Sequence, residues 1–220
     1  MEDLVMKKGV LVLATVFVFV LAGILYAEEP GSIDGFRDYA WGTSFEEVSK
    51  DLENEFGIDG FNTEEFDEEE QTEENGIKNP TKYSIHIAQC SVAGYDAEAF
   101  LGFDEVGLLS GNYKLKLTDY ETSIRPVYNE LLSKYSTVYG EPLQVGEAER
   151  GYGAIWRDQE KNIVFMDAYD RNSSKSFDII YWANDFPVLD LVDREMGESF
   201  EDSCGINLYN VLNAENYEGI

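Results

Sequence analysis

The side chains best suited to nucleophilic, redox or metal-binding chemistry in this chain are its two cysteines and its single histidine. Cys90 and Cys204 are the only cysteines, so only one intramolecular disulfide is possible. An even cysteine count favours that bond in an oxidising compartment, and the alternative is two buried free thiols. His86 cannot by itself form a multi-histidine metal site, and one histidine leaves little room for serine or cysteine nucleophile schemes.

No short motif of a catalytic or nucleotide-binding class is present. The chain lacks the G-x-S-x-G elbow, the Walker A loop, the dinucleotide glycine fingerprint and the C-x-x-C pair. Its 44 acidic residues make some pair of carboxylates suited to glycoside hydrolysis inevitable, so no particular pair is singled out. We therefore predict no enzyme, no cofactor and no metal site, with a secreted hydrolase using acidic residues as the alternative.

The formal net charge of −28 restricts the partners of this protein. A surface this acidic repels phosphate backbones and anionic lipid, so nucleic acid is excluded as a partner. Part of the charge lies in residues 57–81, whose centre reads TEEFDEEEQTEEN. Dense like charge predicts a mobile acidic loop. Calcium capture is the alternative, but an EF-hand starting at Asp51 would place Phe56 where glycine is required.

The N-terminal residues 1–27 are typical of a secretory signal peptide. Lys7 and Lys8 precede an almost wholly apolar run, and Ala27 ends an acceptable cleavage site. The run is also long enough to cross a bilayer as an uncleaved membrane anchor. Either interpretation predicts that the rest of the chain is secreted or lies in the cell envelope, and that only this segment would contact a membrane.

Two amphipathic helices organise the remainder. In residues 121–142, Thr122 or Ser123 can cap the start of a helix, and Gly140 and Pro142 end it. A similar helix occupies residues 41–57, begins at Thr43-Ser44 and ends at Gly57. The two apolar stripes match at one constant offset; they are Phe45, Val48, Leu52 and Phe56 against Ile124, Val127, Leu131 and Tyr135. This match indicates a structural duplication, although any two capped amphipathic helices resemble each other.

Each helix is followed by segments with the alternation of β-strands. After the first helix, strands are predicted around residues 83–88, 97–103 and 109–117, the last two joined by a turn at residues 104–107. After the second helix they are predicted at 152–157, 162–169 and 176–183. The sequence thus predicts one α+β domain over residues 28–183, built from similar halves at 36–117 and 121–183.

The second group of strands is apolar on both faces, so another part of the chain must pack against each face. We expect the C-terminal tail, residues 184–220, to cover one of them through a short helix at 185–196 ended by Gly197. The alternative leaves Trp156 and Trp182 exposed as a contact patch for a partner.

The chain resembles secreted bacterial domains of unknown function in four successive features. They are WGTSFEEV, the segment from Phe103 to Leu108, the helix ending at Tyr139-Gly-Glu-Pro142, and Trp156. The helix-then-sheet unit, used twice, is also similar to the β-lactamase-inhibitor-protein-like fold. It is similar as well to small outer-membrane lipoproteins of the barrel-assembly machinery. The resemblance covers Phe36 to Ala183 and implies a binding or scaffolding role, although the chain lacks the lipid-acceptor cysteine of the lipoproteins.

The sequence therefore predicts two helix-plus-three-strand units with both helices on one face of an antiparallel sheet of about six strands, and a C-terminal tail on part of the sheet. The function predicted is a non-catalytic protein-binding module of the cell envelope or exterior. Its expected partner is another envelope or extracellular protein. A structural envelope component is a further alternative.

Overall fold

The protein is an α+β structure built on a single large antiparallel sheet. The computed structural model describes residues 31–67, 80–117, 123–171, 174–184, 186–188, 192 and 194–214. Within these residues lie four helices: α1 (Phe45–Phe56), α2 (Ile124–Tyr139), α3 (Arg194–Cys204) and α4 (Leu208–Ala214). None of the described helices is both long enough and apolar enough to cross a membrane.

Ten strands accompany the helices within the described residues. A short hairpin consists of β1 (Gly35–Phe36) and β2 (Tyr39–Ala40). The main sheet contains β3 (Asn62–Glu65), β4 (Tyr83–Val92), β5 (Tyr95–Phe103), β6 (Leu108–Leu115), β7 (Gln144–Ala148), β8 (Gly151–Arg157), β9 (Ile163–Arg171) and β10 (Ser174–Trp182).

The main sheet has the strand order β3-β4-β5-β6-β10-β9-β8-β7, and every neighbouring pair is antiparallel. The strands after α1 form one run, those after α2 form another, and β6 pairs with β10 where the runs meet. The sheet therefore has eight strands, two more than the sequence predicted. The two additions in the main sheet, β3 and β7, are its edge strands.

The ends of α1 and α2 lie where the sequence predicted them. The Ser44 side chain accepts a hydrogen bond from the Glu47 backbone N–H at 3.2 Å, which satisfies one of the free donors of the first turn. Ser123 precedes α2 in the extended conformation of an N-cap, without a side-chain capping bond. Gly57 and Gly140 follow the two helices with positive φ, which glycine adopts without steric cost.

Alternate residues of each strand point to opposite faces of the sheet, and we call the face that packs against α1 and α2 the inner face. Leu52 of α1 and Leu131 of α2 are fully buried in one cluster with sheet residues such as Ile85 and Ile179. The four predicted stripe residues of α2 are buried, while Val138, at the end of the helix, is 53% exposed. Tyr128 is buried as well, and its hydroxyl donates to the Gly153 carbonyl at 2.7 Å.

The acidic segment predicted as a mobile loop, residues 57–81, is structured in part. Its residues Asn62–Glu65 form β3, which pairs with β4 in antiparallel register. All four residues are exposed, so the segment has no apolar alternation that would mark a strand. Residues 68–79, which hold much of the acidic run, lie outside the described residues.

The C-terminal tail differs from the prediction at Gly197. Of the helix predicted at 185–196, residues 185, 189–191 and 193 lie outside the described residues. Gly197 does not end a helix, because it lies inside α3, which runs from Arg194 to Cys204. A Cβ at Gly197 would lie 2.6 Å from the Tyr209 Cβ, so the missing side chain allows α4 to approach α3 closely. In this tail the glycine serves helix–helix packing rather than termination.

Candidate functional site

The two tryptophans predicted as partner contacts lie on opposite faces of the sheet. Trp156 is on the inner face, 1% exposed, and its Nε1 donates to the Gly140 carbonyl at 3.0 Å. Trp182 is on the outer face, 9% exposed, and is stacked between Phe165 and Phe186. Since both are core residues and do not form one patch, we place the candidate site elsewhere.

The cysteines form no disulfide, so that expectation was wrong. Cys90, on β4, packs against the inner-face cluster, and its thiol donates to the Ala97 carbonyl at 3.4 Å. Cys204, at the end of α3, is fully buried in the outer-face cluster. The two thiols lie in cores on opposite faces of the sheet, and a disulfide requires Cα atoms within about 7 Å of each other.

The buried thiol of Cys204 predicts a loss of stability in alkali. Burial raises its pKa to about 12, and burial also raises the pKa values of Tyr128, Tyr135 and Tyr181. Above the pKa of a free thiol the unfolded chain loses a proton that the folded chain retains. The free energy of unfolding should therefore hold below about pH 8.5 and then fall, by up to about 1.4 kcal/mol per pH unit for each such group.

Urea unfolding under reducing conditions between pH 7 and pH 11 measures this loss. Cys204→Ala removes the thiol contribution and leaves that of the tyrosines. Between about pH 9 and pH 10, its free energy of unfolding should therefore fall less steeply with pH than that of the wild type. Identical curves for the two proteins in that interval would show that the thiol of Cys204 titrates alike in the folded and unfolded chains.

The tail covers the outer face of the second run of strands. Ile155, Phe165 and Trp182 of the sheet share a buried cluster with Val188, Ile206 and Leu212 of the tail. A row of glycines on β7 and β8 lets the tail backbone lie against the strands, because a Cβ at Gly151 would meet the Ser203 carbonyl oxygen at 1.9 Å. This half of the outer face therefore belongs to the core.

The outer face of the first run of strands contains a groove instead, with a volume of about 410 Å³. We call it the β3–β6 groove. Its floor is made of small residues that lie opposite one another in the sheet register: Ser84 on β4, Gly102 on β5 and Ser110 on β6. The remaining lining residues are Glu64, Phe66, Thr81, Phe100, Leu101, Gly111 and Asn112.

Phe100 is one of the two aromatic residues that line the groove, the other being Phe66, and it is 37% exposed. Its ring stacks on the imidazole of His86, with the ring centroids 4.4 Å apart and the planes 2° from parallel. The histidine therefore supports one face of the phenylalanine ring and holds it in place beside the groove. A rigid, partly exposed aromatic ring is the kind of side chain that anchors protein interfaces.

Charged neighbours hold His86 in turn. Its Nε2 lies 3.3 Å from one oxygen of Glu98, and the Lys116 Nζ lies 3.3 Å from the other. Burial alone would raise the pKa of Glu98, but the hydrogen bonds from Lys116 and His86 outweigh it, and the pKa lies below its ordinary value. The ionised carboxylate of Glu98 thus holds the imidazole of His86 in place, and with it the stacked pair of rings.

Asn112 closes the side of the groove that faces β10. Its Nδ2 donates to the Asp178 Oδ1 at 3.1 Å, and the Ser176 hydroxyl donates to the other oxygen of Asp178 at 2.5 Å. This bond fixes the orientation of the amide, because a carboxylate accepts only from the nitrogen. The Asn112 Oδ1 is buried and accepts no hydrogen bond from the described residues.

A second cavity, of about 310 Å³, lies between the sheet and α3. Asp167 and Asp178 line it from directly opposite positions on β9 and β10. A facing pair of carboxylates is where acid-based hydrolysis would be sought. Asp178 is bound by Asn112 and Ser176, and Asp167 interacts with the Cys204 thiol, so both carboxylates have structural partners. Among the described residues, no group of three or more potential ligands could hold a metal ion.

Sequence reasoning did not single out the residues of the β3–β6 groove. One signal was available for Phe100, which alternates with the buried residues of β5 and therefore had to lie on the wet face. Nothing in the sequence pointed to Glu64 or Asn112, because their juxtaposition depends on the pairing of four strands.

Comparison with known proteins adds no relative. No family model matches the chain. Searches of curated proteins and of solved structures also return no match. We therefore infer the function from the geometry of the groove.

Proposed function

We propose that this protein is a non-catalytic binding module that recognises another protein through the β3–β6 groove. The observation that carries the proposal is the contrast between the two halves of the outer face. The tail buries one half in a core. The other half contains a groove beside Phe100, which is partly exposed and stacked on His86. The grooves and clefts of a scaffold are where ligands and partners ordinarily bind.

We further propose that the binding takes place in the cell envelope or exterior. The support is the signal-peptide-like segment at residues 1–27 and the acidic composition, which suits an ion-rich surrounding and disfavours nucleic acid. The alternative of a secreted hydrolase has less support, because the facing carboxylates Asp167 and Asp178 both have structural partners.

We also infer that the chain consists of two similar units, in keeping with its resemblance to the β-lactamase-inhibitor-protein-like fold. In support, α1 is followed by a run of antiparallel strands, α2 is followed by another, and the last strands of the two runs pair with each other. Both runs contain four strands where three were expected. In this arrangement, the second unit has its outer face covered by the tail and the first unit presents its outer face for binding.

Replacement of Phe100 tests the proposed function. Immobilised wild-type protein should retain a protein from the envelope and exterior fraction of the producing cell, and Phe100→Ala should weaken that retention about 30-fold. This factor corresponds to the loss of about 2 kcal/mol that is typical of an aromatic anchor.

Val106→Ala is the matched control, because Val106 is an apolar residue that is 77% exposed in the turn between β5 and β6. It should retain the same protein as wild type, and circular dichroism should show that wild type and both variants are folded. Equal retention by wild type and Phe100→Ala would contradict the proposal, as would the absence of any retained protein.

A further inference from the structure

The β3–β6 groove has an uneven distribution of charge. Among the described lining residues, Glu64 is the only ionisable one, and it is exposed on the edge strand β3. Two basic groups of this face, Lys116 and His86, pair with Glu98. Lys114 lies opposite Glu98 on β5 and Asp178 on β10 in the sheet register. The groove thus offers a carboxylate at one end, and the part of its lining that the structure describes contains no cation.

Two further groove residues, Phe100 and Asn112, also favour a cation or a hydrogen-bond donor. The negative face of an aromatic ring attracts ammonium and guanidinium groups, and Phe100 presents its ring beside the groove. The Asn112 Oδ1 is an acceptor without a donor among the described residues. A buried acceptor without a donor is unfavourable, and a donor from a ligand would satisfy it.

The spacing of the strands decides the size of the ligand. Three strand-to-strand steps separate β3 from β6, a distance of about 14 Å. One lysine or arginine side chain is too short to reach from Glu64 to Asn112. An extended segment rises about 3.3 Å per residue, so roughly four residues cross the groove.

The net charge of the whole protein also favours a cationic ligand. A net charge of −28 attracts basic partners over long range and raises the rate at which they are captured. It also disfavours a second copy of the same chain as the occupant. Charge complementarity therefore selects a partner with a basic surface.

We propose, building on the proposed function, that the β3–β6 groove binds an extended segment of a basic partner protein. A lysine or arginine of that segment pairs with Glu64, the chain crosses the floor of Ser84, Gly102 and Ser110 beside the ring of Phe100, and a donor reaches the Asn112 Oδ1. The small floor residues leave room for the backbone of the segment.

The test uses three blocked pentapeptides, Gly-Arg-Gly-Arg-Gly, its citrulline counterpart and its glutamate counterpart, titrated into ¹⁵N-labelled protein. Citrulline keeps the shape of arginine and removes the charge. The arginine peptide should shift the amide signals of Ser84, Gly102 and Ser110, and both other peptides should bind at least threefold more weakly.

Two single-charge variants provide the matched comparison. Glu64 and Glu65 are neighbours on β3, both exposed, and their side chains point to opposite faces of the sheet. Glu64→Gln should weaken binding of the arginine peptide threefold to tenfold, whereas Glu65→Gln should change it less than twofold.

Equal weakening by Glu64→Gln and Glu65→Gln would overturn the proposal, because it would show that only the total charge of the protein acts. Equal binding of the arginine and citrulline peptides, or no binding of any peptide, would overturn it too. If, in any of these cases, the wild-type protein retains a partner that Phe100→Ala retains more weakly, the binding function stands. Only the basic character of the partner is then excluded. If that retention is also absent, the proposed function fails with it.

Discussion

Replacing Trp156 with alanine should destabilise the protein by about 4 kcal/mol. Its ring is 1% exposed and packs against Tyr135, with the ring centroids 5.9 Å apart. Truncation leaves a cavity between α2 and the sheet and deprives the Gly140 carbonyl of its donor. This loss is a large share of the 5–15 kcal/mol that ordinarily separates folded from unfolded domains.

Urea unfolding followed by far-ultraviolet circular dichroism measures the effect without depending on tryptophan fluorescence. Val138→Ala is the control on the same helix, because Val138 is 53% exposed, and it should cost less than about 0.5 kcal/mol. A stable Trp156→Ala variant that has lost its partner would contradict the core assignment and would favour the contact patch predicted from the sequence.

Replacing Gly151 with alanine should destabilise the protein by about 3 kcal/mol and loosen the tail. The new Cβ would lie 1.9 Å from the Ser203 carbonyl oxygen and 2.8 Å from that of Ala168. Both are backbone atoms, so relief requires the end of α3 to move away from the sheet. That movement uncovers Cys204, which is fully buried in the native protein.

Reaction with a thiol reagent under native conditions, beside urea unfolding, detects this movement. In a Cys90→Ser background, Gly151→Ala should make Cys204 react at least tenfold faster. Gly153→Ala is the graded comparison, because its nearest neighbours are the side-chain atoms Cys204 Sγ and Ile206 Cδ1, at 2.8 and 3.0 Å. It should cost about 1 kcal/mol. If Gly151→Ala unfolds like wild type and Cys204 stays protected, the tail does not lie on the glycine row.

The parts of the fold that could be predicted are those with local causes. The caps and stripes of α1 and α2 depend on residues within a few positions of each other, and the strands from β4 to β6 alternate clearly. The edge strands could not be predicted in this way. β3 has four exposed residues and is a strand only because β4 supplies its hydrogen-bond partners.

The errors have one physical cause, which is that sequence patterns do not specify the neighbour across the sheet. An even number of cysteines suggested a disulfide, but the sheet separates the core around Cys90 from the core around Cys204. Gly197 has the form of a helix stop, yet its missing side chain accommodates Tyr209. Glu64 and Asn112 likewise lie in one groove only because four strands pair in a particular register.

The single histidine of the chain permits the most direct test of the binding surface, because His86 stacks on Phe100 beside the groove. In protein labelled with ¹³C-histidine, one imidazole signal reports on this face. We predict that the signal shifts or broadens as the protein retained by the wild type is added, and that Phe100→Ala abolishes the response. An unchanged imidazole signal at saturating partner would contradict the account, because the partner would then bind another surface.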